Sequence, residues 1–144
     1  MGILLNAFVA TAMLATSLGG AAAADLVKGR RTLPELVLGT EGDTPCAVSE
    51  KEIEMEAGRY YRLSITAKGS LEYKFFATEF FRNIWIDEIV IEHLEVHMMG
   101  APHHLEFDDP GTININFVPV RAGEYTWTVQ GFEDKGMTGK FIVK

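Results

Sequence analysis

From residue 51 onward, polar and apolar positions alternate along much of the chain. Lys51-Glu52-Ile53-Glu54-Met55-Glu56 switches at every step and stops at Ala57-Gly58. Tyr60-Tyr61-Arg62-Leu63-Ser64-Ile65-Thr66 puts Tyr61, Leu63 and Ile65 on one face, and Lys68-Gly69-Ser70 ends it. A period of two is the mark of a strand with one face on a core. Residues 71–77 are rich in aromatics and predict a further strand, whereas 78–83 predict a short helix or a loop. Residues 84–98 are β-branched and apolar and predict one long strand, broken by Gly100-Ala101-Pro102. Leu105-Glu106-Phe107 is short, residues 112–118 and 123–129 alternate cleanly, and 140–143 close the set. Upstream, Leu36-Val37-Leu38 predicts a short first strand and 39–45 a turn-rich loop. Short strands with turn signals roughly every 8–12 residues predict an all-β sandwich or barrel. Neither a long amphipathic helix nor an internal repeat is visible.

The first 24 residues follow another rule. Ile3 to Leu18 is an uncharged apolar run, short for a span of about 20 residues, and it ends in Gly19-Gly20-Ala21-Ala22-Ala23-Ala24. Ala22-x-Ala24 fits the small-residue cleavage rule. It predicts an exported signal peptide over 1–24, cut after Ala24, although no Lys or Arg precedes the apolar run. The domain is then expected over 25–144, as a soluble mature protein.

Composition narrows the function classes. The 144 residues, 47% hydrophobic, suffice for one core and are too few for two. A net charge of −7 argues against a nucleic-acid partner, which calls for clustered Lys and Arg. It suits a metal ion or a basic protein surface. The single cysteine, Cys46, rules out an internal disulfide. A buried small hydrophobe, a metal ligand and an intermolecular thiol all stay open for it. There is no catalytic triad, nucleophile elbow, phosphate loop or CxxC, so any activity is expected to be metal-centred redox chemistry.

The C-terminal third resembles the cupredoxin family. The segments that carry the likeness are Arg121-Ala122-Gly123-Glu124-Tyr125-Thr126-Trp127 and Gly136-Met137-Thr138-Gly139-Lys140-Phe141-Ile142-Val143. The resemblance implies an all-β, cupredoxin-like Greek-key β-sandwich. In that family a His after the third strand and a Cys, His and Met of the last loop hold copper, with the Met as weak axial ligand. Carried over position by position, Met137 stands at the axial Met, Val129 at the Cys, Phe132-Glu133-Asp134 where the loop His would be, and Glu72 near the first His. One ligand of four survives, and one is replaced by a carboxylate. A blue-copper site is therefore not expected.

A narrower resemblance is to the cupredoxin-like periplasmic component of bacterial iron-uptake systems. It rests on Cys46, Ala57-Gly58, Leu71-Glu72-Tyr73, Ala122-Gly123-Glu124-Tyr125 and Gly139-Lys140-Phe141-Ile142-Val143-Lys144. It implies a periplasmic protein that handles or oxidises ferrous iron, with copper as redox partner, for an inner-membrane iron permease. The competing expectation is a metal-free cupredoxin-fold module that binds another envelope protein.

All four histidines, His93, His97, His103 and His104, fall within a dozen positions, with Met98 and Met99 among them. Imidazole and thioether suit copper, and ferrous iron would add carboxylates from Glu72, Glu92, Glu95, Glu106, Asp108 or Asp109. On one strand His93 and His97 would share a face about 13 Å apart, too far to chelate one ion. The expected metal site is therefore the segment from His97 to His104, with Glu72 or Met137 completing it. Its ligands would come from Glu72, His97, His103, His104 and Met137, and its ion would be copper, iron or both. Met98 and Met99 read individually as packing residues. Trp85, Trp127, Phe80, Phe81, Phe107 and Phe117 read as core aromatics, and Arg82 either pairs with Glu79 or is solvated.

Overall fold

The computed structural model describes residues 25–40 and 44–144, so the predicted signal peptide lies outside the described residues. Among the described residues there are eleven strands: β1 Arg31–Thr32, β2 Leu36–Leu38, β3 Glu52–Met55, β4 Tyr61–Ala67, β5 Tyr73–Phe76, β6 Ile84–Ile91, β7 Leu94–Val96, β8 Leu105–Phe107, β9 Gly111–Pro119, β10 Gly123–Val129 and β11 Thr138–Val143. A five-residue helix α1, Thr78–Arg82, links β5 to β6, and a 3₁₀ turn over Glu133–Lys135 precedes β11. One sheet runs β1-β4-β9-β6-β7, with β2 also paired to β4. The other runs β3-β11-β10-β5-β8. The chain crosses between sheets at most connections, as Greek-key sandwiches do.

The inward positions of both sheets form one core. Trp127 is fully buried, and its ring stacks on Phe75 at 5.6 Å. Phe80 on α1 lies 4.3 Å from the Phe141 ring and 5.4 Å from Phe117, so the helix plugs one edge of the sandwich. Tyr125 turns back to donate to the carbonyl of Arg121 at 2.9 Å, clamping the start of β10. At the other end the Tyr73 hydroxyl donates to the carbonyl of Pro45 at 2.6 Å. It passes so close to Gly39 (φ 72°) and Gly69 that a Cβ at either would collide with it.

Two expectations need correction. Residues 84–98 are not one strand: Glu92, at φ 52°, and His93 turn the chain back on itself, so β6 and β7 form a hairpin. The apolar run conceals this turn because β6 and β7 are both apolar and the connection has only two residues. Trp85 is not a core aromatic. Ile84 and Ile86 take the inward positions of β6, which leaves Trp85 outside at 47% exposure. Met98 is half-buried against the core, whereas Met99 is fully exposed. Arg82 does pair with Glu79, at 3.2 Å on the open surface.

Candidate metal centre

Pairing of β5 with β8 sets out an exposed row of side chains. Tyr73 pairs with Phe107, Lys74 with Glu106 and Phe75 with Leu105. Tyr73, Phe75, Leu105 and Phe107 point inward. Glu72, Lys74 and Phe76 therefore share the outer face with His104, Glu106 and Asp108. The His104 ring stacks on Phe76 at 4.9 Å and 13°, and His103 meets the same ring edge-on at 5.5 Å.

The two imidazoles converge. Nδ1 of His103 lies 2.9 Å from Nδ1 of His104, and Nε2 of His104 lies 3.2 Å from Glu106 Oε2. Two nitrogens that share one metal at about 2.0–2.1 Å, at right to tetrahedral angles, stand about 2.9–3.4 Å apart. The His pair already has that separation. An ionised carboxylate only accepts, so Nε2 of His104 donates to Glu106 and its Nδ1 accepts from Nδ1 of His103; a metal between the two rings would replace that bridging proton. This carboxylate–imidazole pairing is the one that fixes the tautomer of metal-binding histidines. His104, then Lys74, hold the Glu106 carboxyl below the usual carboxylate range. Lys74 sits 2.8 Å from Glu72 and 3.2 Å from Glu106. Glu72, Glu106 and Asp108 bring carboxylate oxygens within 4.8 Å of one another, but the Lys74 ammonium already balances two of them.

The structure does not bring the five expected ligands together. His103 and His104 meet, and Glu72 joins them only through Lys74 and Glu106. His97 belongs to the other sheet: its Nε2 lies 3.7 Å from Glu95, and its ring groups with Glu88 and Glu95. His93 sits at the tip of the hairpin turn. Met137 is fully buried, and its backbone bonds to Val129 and Phe132 hold it in the core. Glu88 as a neighbour of His97 was not legible in the sequence. Its one local signal was the Glu92-His93 dipeptide between two apolar runs.

Of the positions that the family resemblance assigns to blue-copper ligands in the last loop, only Met137 carries a copper donor. Val129 and Met137 are both fully buried, and half-buried Phe132 packs against Tyr73 at 6.2 Å. A type 1 centre also needs a thiolate and imidazoles, and at Val129 and Phe132 an aliphatic and an aromatic group stand instead. Cys46 is a half-buried thiol packed against the core near Tyr73; burial, then Cys46, push the Tyr73 hydroxyl up from its ordinary value.

No protein-family model and no curated protein sequence matches the chain. Solved structures match its fold. It superposes on a multicopper oxidase from Campylobacter jejuni, described as a metallo-oxidase, with TM-score 0.58 and 8% identity, over 85% of this chain and 32% of the oxidase. The copper nitrite reductase from Nitrosomonas europaea matches with TM-score 0.53 and 9% identity, over 80% of this chain and 48% of the enzyme. Auracyanin B matches with TM-score 0.50 and 14% identity, over 80% of this chain and 88% of its own. The chain thus spans about a third of the oxidase and half of the reductase. These likenesses establish the fold as a cupredoxin-like β-sandwich. No helix among the described residues is long and apolar enough to cross a membrane.

Proposed function

We propose that this chain is a metal-binding cupredoxin-fold protein of the cell envelope that holds copper on the β5–β8 edge through His103 and His104. The observation that carries the reading is the 2.9 Å separation of the two Nδ1 atoms, with Glu106 on the far nitrogen of His104. Imidazole donors favour copper among the first-row divalent ions. Bound copper would supply a one-electron redox centre. The residues' own part is to present two nitrogens, keep His104 in one tautomer through Glu106, and shield one side with the Phe76 ring. The finer reading is a periplasmic component of iron uptake that handles ferrous iron for an inner-membrane permease. Its support is the sequence resemblance around Cys46, Leu71-Glu72-Tyr73 and the C-terminal strand.

A second reading has its own observation. A cleft of about 420 Å³ opens between Trp85, Arg82, Met98 and Met99, beside the exposed Trp85 ring. Such a surface suits a metal-free module that binds another envelope protein. Copper loading followed by desalting separates the two. Stoichiometric copper that is lost in a His103→Ala, His104→Ala variant is the expected result, without the intense visible band of a thiolate–copper centre. Protein that retains no copper would overturn the metal reading and leave the docking module.

A further inference from the structure

We propose a second divalent-cation site, independent of the His103–His104 pair, on the outer face of the β6–β7 hairpin, formed by Glu88, Glu95 and His97. Three features of the hairpin build it. β6 pairs Ile89 with Val96, Val90 with Glu95 and Ile91 with Leu94. Continued by one residue, that register sets His97 opposite Glu88, with Glu95 two residues away on the same face. The second feature is a bulge between Ile86 and Glu88 against β9. It lets Ile86 and Ile89 both face the core and leaves Glu88 outside. The third is proximity: one donor atom from each of Glu88, Glu95 and His97 lies within 4.8 Å of the others.

The surroundings prepare these groups as ligands. Nδ1 of His97 lies 3.3 Å from the carbonyl of Asp87. A carbonyl only accepts, so Nδ1 donates to it, and Nε2 faces the Glu95 carboxylate at 3.7 Å, beyond hydrogen-bond distance, where a cation placed between them would satisfy both. A backbone carbonyl behind the ring is a usual second partner of a metal-bound histidine. Beneath the site, Asn116 is only 1% exposed, and its Nδ2 donates to Glu88 Oε1. The Oδ1 of that amide has no partner. An unpaired buried acceptor on the residue that anchors Glu88 costs free energy that an ordered water brought in with a bound cation would relieve.

The contrast with the β5–β8 edge supports the assignment. There Lys74 already bridges Glu72 and Glu106. Among the described residues neither Glu88 nor Glu95 has a Lys or Arg within ion-pair distance. Arg62, the nearest basic residue by register, directs its Nε to Asn114 instead. The Asp87 carboxylate is engaged by the Tyr60 hydroxyl at 2.6 Å and is not a ligand. Two carboxylates and one imidazole form an oxygen-rich set suited to manganous or ferrous ions, harder than the ion the paired imidazoles select.

Manganous ion alone is the probe, followed in solution with the full chain through the loss of the free-ion paramagnetic resonance signal. Saturable binding of one ion, weakened about tenfold or more by Glu88→Gln or Glu95→Gln, is expected. His97→Ala should weaken it similarly, and His103→Ala with His104→Ala should leave it unchanged. Broadening of the His97 ring resonances by the bound ion would give a readout separate from affinity. Binding that is absent, indifferent to Glu88→Gln and Glu95→Gln, or lost with His103 and His104 would overturn the proposal. All these side chains are on the surface, and a thermal melt of each variant checks that it remains folded.

Discussion

The loop between β10 and β11 and the outer edge of β5 and β8 lie on the same sheet, yet they follow opposite rules. In the first, Val129 and Met137 are sealed and Phe132 packs against Tyr73. In the second, exposed His103 and Glu106 and half-buried His104 and Lys74 bind one another through hydrogen bonds and ion pairs. The first region holds the fold together, and its one donor, the Met137 thioether, is sealed in the core. The second offers donors while contributing little to stability, because solvent screens exposed ion pairs. A cupredoxin-like sandwich can therefore pack this loop tightly and still carry imidazoles on its rim.

Mutations at the two regions should have separate signatures. The largest effect is expected at Trp127, which anchors the sheet behind the sealed loop. Trp127→Ala should cost about 3–5 kcal/mol in denaturant unfolding. A cost below about 1 kcal/mol would mean that the core is not organised around this ring.

Met137 tests the comparison most directly, because the sequence placed it among the ligands. Met137→Ala should cost about 2–5 kcal/mol. Met137→Leu, which conserves volume, should cost under about 1.5 kcal/mol. Folded Met137→Leu protein should keep its copper content and its electron paramagnetic resonance spectrum. Copper loss in that variant would show that the two regions form one site.

The smallest effect concerns pH. His104 and Lys74 lower the Glu106 pKa, so this group's contribution to stability is present above the ordinary carboxylate range. It is lost as the pH falls through the lowered folded value. Replacing Lys74 with Met should move the Glu106 carboxyl titration upward in an NMR titration. An unmoved titration would show that Lys74 does not couple to the histidine edge.

Much of this was legible along the chain. The alternation at 51–56, 60–66, 112–118 and 123–129 became β3, β4, β9 and β10, because inward and outward positions repeat every two residues. The donor chemistry of the last loop was legible too, since Val129 and Phe132 carry no metal donor and Met137 carries a thioether wherever the fold puts them. Trp85 was not legible as a surface residue, because an apolar ring reads the same on either face of a strand.

The sequence by itself determined the period of the alternating strands, most of the aromatic core and the chemical identity of every available donor, because these depend on side-chain type and local spacing. Only the tertiary structure decided which donors meet. Four histidines within a dozen positions looked like one cluster. The turn at Glu92 and His93 folds His97 back to Glu88 and Glu95 on one sheet, while pairing of β8 with β5 places His103 and His104 on the other. Register between strands is a long-range property, and a shift of one residue exchanges every inward side chain for an outward one.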